Sequence, residues 1–129
     1  MTQSVDNHPQ GNIAVENVTR RQTLVCAGEV ADNHWTRMKG LLGRKGLAPG
    51  EGLLIVPSNS IHMLFMRFPI DVLYVDKSLQ VIGLHHTLRP WRLGAFHLRS
   101  RFVVELPAGT LAATGTQLGD QLAVQGYDL

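Results

Sequence analysis

The stretch IDVLYVDKSLQVIGL, residues 70–84, decides the fold class of this chain. Apolar and β-branched residues dominate positions 70–75 and 79–84, and the turn formers Asp76, Lys77 and Ser78 separate the two runs. Such runs around a cluster of turn residues are typical of two short strands joined by a tight turn. The stretch therefore predicts a β-hairpin and, with it, a sheet-based domain.

Similar short runs, each bounded by Gly, Pro, Asn, Asp or Ser, occur on both sides of this hairpin. Many short strands separated by turns are typical of a closed antiparallel barrel or a sandwich. The further predicted strands are Ile13–Val18, Gln22–Cys26, Leu53–Val56, Ile61–Met66, Phe102–Leu106 and Gln121–Val124.

One segment has a different period. Trp35, Met38, Leu41 and Leu42 are spaced by three or four residues and share one helical face, and Gly43 suits a left-handed C-terminal residue. The spacing predicts one α-helix over about residues 32–42. The predicted fold class is thus mainly β: a single compact antiparallel β barrel or sandwich with this helix packed on it.

Length and composition predict one domain. The chain has 129 residues, of which 44% are hydrophobic, enough to enclose a single core. Residues 1–11 are rich in Asn, Gln, Asp and Pro, which predicts a flexible N-terminal arm. Residues 12–129 are the predicted β domain.

Charge and targeting signals constrain the partners. A net charge of +2 argues against a protein built to coat nucleic acid. No apolar stretch is long enough for a membrane span, no signal peptide is recognisable, and Cys26 has no second cysteine to pair with. We therefore expect a cytoplasmic protein, and the sequence leaves its oligomeric state open.

Five stretches carry a family resemblance. They are MKGLLGR at residues 38–44, GLLI at 52–55, IHMLFMRFPIDVLYVD at 61–76, VELPAG at 104–109 and LGD at 118–120. In their order and spacing they resemble the prokaryotic domain-of-unknown-function family 192, the uncharacterised ACR family. The resemblance covers about residues 13–124.

The resemblance implies a mostly β fold with one helix near its first third, and it implies no established activity. Members of that family commonly carry a signal sequence or a lipoprotein anchor, which is not recognisable in this sequence. The central motif is similar to the branch that reads His-x-x-x-Met-Arg-Phe-Pro, at positions 62–69.

The segment from His62 to Asp76 holds charged residues inside an apolar double strand. Arg67 and Asp71 flank a bend at Phe68–Ile70, which favours an ion pair that fixes the hairpin. The alternative is a ligand-binding Arg67 oriented by Asp71. His62 is either a hydrogen-bonded structural residue or a ligand-binding one.

A second cluster mixes arginines with aromatic residues between positions 89 and 101. Arg89, Trp91 and Arg92 would serve as the rim of a pocket for an anionic small molecule, or as solvated loop residues with Trp91 as an anchor. A protein partner at this loop is a further alternative.

These residues predict a binding module for a small anionic ligand or a partner segment, with His62, Arg67, Asp71, Arg89, Trp91 and Arg92 as its ligand-binding residues. One alternative is a small enzyme that uses His62 or Glu105 as acid or base. Another is a structural or assembly subunit. The histidines lack the spacing of a metal site, so we expect no metal and no cofactor.

Overall fold

The computed structural model describes residues 13–33, 41, 44–58 and 66–128. In these ranges lie seven strands and one short helix, in the order β1 Ile13–Asn17, β2 Gln22–Ala31, β3 Glu51–Ile55, β4 Ile70–Val75, β5 Val81–Leu88, β6 Phe102–Pro107, α1 Thr110–Thr114 and β7 Leu122–Gln125.

The seven strands form one sheet in the order β5-β4-β6-β3-β2-β1-β7. Neighbours are antiparallel except for β2 and β3, which run parallel from the pair Ala27 and Glu51 to the pair Ala31 and Ile55. The predicted mainly β class is confirmed. The parallel pair is a departure from an all-antiparallel sheet.

The sheet curls so that its two edge strands approach each other. Gln80, just before β5, forms an isolated bridge with Gln121, just before β7. The Val81 amide donates to the Asp120 carbonyl at 2.9 Å, and the Gly119 amide donates to the Val81 carbonyl at 2.8 Å. The result is a half-barrel closed at one end, which protects part of both edges from pairing with another chain.

Strand β4 is buried along its whole length because both faces of the sheet are covered. Leu73 and Val75 pack into a first apolar core together with Phe102 and Leu111. Ile70, Val72 and Tyr74 point to the opposite face and pack into a second core. Side chains alternate between faces along a strand, so neighbouring residues of this segment belong to different environments.

Two predicted elements lie largely outside the described residues. Only positions 32, 33 and 41 of the predicted helix are described, and only Met66 of the predicted strand Ile61–Met66. The predicted arm, residues 1–11, is also outside them. The helix that the structure shows, α1, follows the Pro-Ala-Gly turn and was not predicted.

Candidate functional site

Asp71 is fully buried, and its carboxylate is surrounded by backbone donors. Its Oδ1 accepts a hydrogen bond from the Thr87 amide at 2.8 Å. Its Oδ2 accepts from the Gly109 amide at 3.1 Å and the Leu111 amide at 2.8 Å. Such charge-assisted bonds are stronger than neutral ones, so Asp71 ties the end of β5 and the start of α1 to the centre of the sheet.

The prediction of an ion pair between Arg67 and Asp71 is wrong. Arg67 is exposed, and the ion pairs among the described residues do not include it. The physical reason is that Asp71 points into the first core, where the turn before α1 offers amides that need an acceptor. Arg67 stays a predicted ligand-binding residue, and His62 lies outside the described residues.

Arg89 and Arg92 line a shallow groove at the end of β5, together with His86, Thr87 and Leu88. The groove encloses about 300 Å³, enough for a small anion with part of its hydration shell. Two of the predicted rim residues, Arg89 and Arg92, therefore line the same open groove. Trp91 is not among the lining residues, and its side chain is 60% exposed.

The backbone of this groove is held in an uncommon conformation. Thr87 has a φ of 53°, which a β-branched residue rarely adopts. Its amide is the one that donates to Asp71 Oδ1. Because strain of this kind persists only where neighbouring bonds fix it, Asp71 positions the segment that carries Arg89.

A second groove lies at the β4–β5 turn. It encloses about 510 Å³ between Lys77, Arg99 and Arg101, with Asp76, Ser78 and Ser100 completing its lining. Asp76 accepts bonds from the Ser78 and Gln80 amides, so its carboxylate is engaged in the turn. The sequence placed Lys77 in a turn but gave no signal that the chain would bring Arg99 and Arg101 beside it.

Glu105 lies on the opposite face of the sheet from Asp71. It pairs with Leu53 on one side and Val72 on the other, so both cross-strand neighbours are apolar. Its Oε1 is buried without a hydrogen-bond partner. Burial raises the pKa of Glu105 to about 8, which keeps the carboxyl largely protonated near neutral pH.

Tyr74 shares the second core with this carboxyl group. Its hydroxyl is also buried, and burial raises the pKa of Tyr74 to about 12, an effect that the Ala95 backbone beside the hydroxyl only partly offsets. The ring of His97 lies 4.3 Å from the Tyr74 ring, and the ring of His85 lies 6.1 Å from it. The sequence singled out Glu105 but missed Tyr74, because a tyrosine in an apolar strand is ordinarily core.

The described ranges contain no group of three His, Cys, Asp or Glu side chains placed to hold a metal ion. They also contain no helix long and apolar enough to cross a membrane.

A curled seven-stranded sheet with a short helix defines a small half-barrel domain of the mainly β class. Residues 15–124 match the profile of the Uncharacterized ACR family, domain of unknown function 192, and the chain belongs to this family. The resemblance drawn from the five sequence motifs is therefore confirmed.

The relatives agree with this assignment. A UPF0127 protein from Pyrococcus furiosus is 33% identical over 82% of this chain and 93% of its own length. A UPF0127 protein from Thermococcus sibiricus is 30% identical over 82% of this chain and 71% of its own length. The names of these relatives state no activity.

Solved structures show the same fold. A protein of unknown function from Novosphingobium aromaticivorans has a TM-score of 0.75 at 21% identity, covering 86% of this chain and 82% of its own. A candidate transcription regulator from Sinorhizobium meliloti has a TM-score of 0.75 at 23% identity, covering 97% of this chain and all of its own. At these identities the likeness concerns the fold alone.

Proposed function

We propose that this half-barrel is a binding module whose groove at the end of β5 takes a small anionic ligand or an acidic segment of a partner. One observation supports the proposal: Arg89, Arg92 and His86 line the same shallow, open groove. Guanidinium groups recognise carboxylates and phosphates through paired N–H donors, so two of them on one groove favour an anion of either kind.

The groove is also organised before any ligand arrives. Asp71 holds the Thr87 amide from inside the sheet, which fixes the backbone between His86 and Arg89. A site whose backbone is already fixed loses less conformational entropy on binding than a mobile loop. In this proposal Asp71 is a positioning residue, while Arg89 and Arg92 contact the ligand.

The test is a titration with inorganic phosphate and, separately, with a short acidic peptide, followed by amide chemical shifts. We expect saturable shifts at Thr87 and Arg89 for at least one probe. The double variant Arg89→Ala/Arg92→Ala should bind about tenfold more weakly or worse, since a charge-assisted hydrogen bond contributes about 1.5–3 kcal/mol.

Lys45→Ala is the matched control, because it removes an exposed positive charge elsewhere on the chain. Equal affinity in the double variant would overturn the proposal, as would shifts confined to Lys77, Arg99 and Arg101.

Acid–base chemistry is a second candidate function, favoured by the unpartnered Glu105 Oε1, which is buried in the second core together with the Tyr74 hydroxyl. A carboxyl group with a pKa near 8 is suited to proton transfer around neutral pH. His62 remains a predicted partner in this chemistry.

Reaction with a hydrophobic carbodiimide at neutral pH tests whether Glu105 is accessible to a reactant, since the reagent attacks protonated carboxyl groups. Selective labelling of Glu105, absent in Glu105→Gln, would support this function. A protein that is labelled only at other carboxyl groups would exclude it, because Glu105 would then be sealed in the core.

A further inference from the structure

Four large apolar side chains are exposed within one short segment between β5 and β6, which we term the apolar segment, residues 91–98. Trp91 is 60% exposed, Leu93 71%, Phe96 63% and Leu98 79%. Elsewhere in the described ranges only Val18 and Leu118 are large, apolar and exposed. Single exposed apolar residues are ordinary, but a cluster on one segment marks an interaction surface.

The apolar segment is anchored to the sheet. The Ala95 amide donates to His85 Nε2 at 3.2 Å. The His97 ring packs against Tyr74 and over Gly83, where a Cβ atom would overlap it. Because these contacts hold the middle of the segment inward, Phe96 and Leu98 on either side of His97 are left facing solvent.

Positive charge is concentrated around this segment. Residues 77–104 contain Lys77, Arg89, Arg92, Arg99 and Arg101 and no aspartate or glutamate, while the whole chain has a net charge of only +2. Three of these cations, Lys77, Arg99 and Arg101, line the groove at the β4–β5 turn, where they outnumber the single carboxylate of Asp76. The occupant of this surface must therefore combine an apolar interior with negative charge.

A second copy of the chain does not meet that requirement. A two-fold dimer would bring the same cationic surface against itself, and like charges in contact oppose association. A stable interface with a folded protein partner buries about 800 Å² on each side, with complementary packing over that whole area. An anionic lipid surface needs only protruding apolar side chains and flanking cations.

We propose that the apolar segment docks the protein on an anionic lipid surface. Trp91, Leu93, Phe96 and Leu98 enter the boundary between headgroups and acyl chains, where tryptophan is enriched. Arg99, Arg101 and Lys77 lie against the lipid phosphates. The docking is interfacial and needs no membrane-spanning element.

The experiment is co-sedimentation of the full chain with vesicles of phosphatidylcholine alone and of phosphatidylcholine mixed with phosphatidylglycerol. The apolar variant is Leu93→Ser/Phe96→Ser and the charge variant is Arg99→Ala/Arg101→Ala. Leu118→Ser is the matched control, because it removes an apolar side chain of similar exposure, 63%, from the turn after α1.

We expect the wild-type chain to bind the mixed vesicles and not phosphatidylcholine alone. The apolar variant should bind at least about tenfold more weakly, since each buried side chain of this size contributes roughly that factor. The charge variant should lose about fivefold for each arginine and bind less as salt rises. Leu118→Ser should bind like the wild type.

Three outcomes would overturn the proposal. They are no binding to mixed vesicles at low salt, equal binding by the apolar variant, and capture by an acidic peptide but not by vesicles, which would indicate a protein partner. Arg89 and Arg92 are intact in both variants. A loss of membrane docking can therefore be distinguished from a loss of anion binding at the groove at the end of β5.

Discussion

The carboxylate of Asp71, on the central strand β4, accepts a hydrogen bond from the amide of Leu111, the second residue of helix α1, at 2.8 Å. The residue before the helix, Gly109, has a φ of 96° and no side chain that could cap the helix. Asp71 therefore does from a distant strand what an N-cap side chain usually does locally. The same carboxylate accepts a hydrogen bond from the Thr87 amide, so the helix start and the backbone of the groove at the end of β5 both depend on one side chain.

Replacing Asp71 by Asn tests this dependence. The amide group cannot accept on both sides as the carboxylate does, and it faces buried N–H donors with donors of its own. We expect the free energy of unfolding to fall by about 2 kcal/mol, measured by urea denaturation. Asp128→Asn, in an exposed position near the C-terminus, is the control and should change little.

The same variant separates positioning from simple destabilisation. Anion affinity should fall under conditions where the protein is still folded, because Thr87 is no longer held. If Asp71→Asn binds phosphate like the wild type at full folding, the groove does not depend on the buried carboxylate.

Because Glu105 is buried, we expect the free energy of unfolding to fall as the pH rises. Its pKa is raised from 4.5 to about 8 by burial, so the folded state keeps a proton that the unfolded chain releases. The contribution is fully present below about pH 4.5 and is lost as pH rises toward 8, with a slope of up to roughly 1.4 kcal/mol per pH unit.

Glu105→Gln should lack this slope. We expect its stability relative to the wild type to increase steadily between pH 5 and pH 8, as measured by urea midpoints across that range. Glu29→Gln, at an exposed position, provides the comparison. Parallel stability curves for the wild type and Glu105→Gln would show that the carboxyl group ionises freely in the fold.

Because the pKa of Asp120 is lowered, its contribution to stability is lost as the pH falls. The Arg20 guanidinium, followed by the Asn17 and Gln117 donors, lowers the pKa of Asp120 from 3.8 to about 2. A depressed pKa stabilises the folded state above about pH 4, and this contribution is lost as pH falls toward 2. Asp120 is nearly buried at the closed end of the half-barrel, where Asn17 Nδ2 donates to it at 2.9 Å.

Asp120→Asn should therefore cost about 1–2 kcal/mol at neutral pH, and the gap from the wild type should narrow near pH 2. Thermal unfolding at both pH values checks this. If the difference in stability between Asp120→Asn and the wild type is the same at both pH values, the negative charge of Asp120 does not contribute to stability.

Gly83→Ala should loosen the apolar segment without unfolding the sheet. The added methyl group overlaps the His97 ring, which can swing away because it is the far end of a flexible side chain. We expect a loss of about 1 kcal/mol or less in global stability, but a clear increase in hydrogen exchange at the Ala95 amide. Unchanged exchange at Ala95 would show that His97 does not anchor the segment.

The positions of the strands could be predicted from local sequence patterns. Which strands pair with each other could not. Ile70–Val75 was predicted with the observed bounds because turn residues delimit it on both sides. Strand β2 extends five residues beyond the predicted Cys26, to Ala31, because its second half pairs in parallel with β3. That partner is distant in sequence, and no local pattern announces it.

Helix α1 and the site show the same limit. The helix spans only Thr110–Thr114, too short for apolar periodicity, and its start depends on Asp71 from another strand. Arg89 and Arg92 could be chosen from composition because arginines beside an aromatic residue stand out. The hydrogen-bond partners of Asp71 could not be predicted in this way. The Gly109 and Leu111 amides that donate to its carboxylate lie in a turn that comes close to Asp71 only in the folded chain.

The pairing of β1 with β7 has a consequence for how the chain reaches its fold. Asn17 pairs with Leu122, and its side chain donates to Thr116 and Asp120, so one of the first strands is completed by one of the last. Contacts this far apart in sequence must wait for a large loop to close, which slows folding. A hairpin of β1 and β2 alone has two open edges, and the edge on β1 is covered only after residues 122–125 have been synthesised and have paired with it.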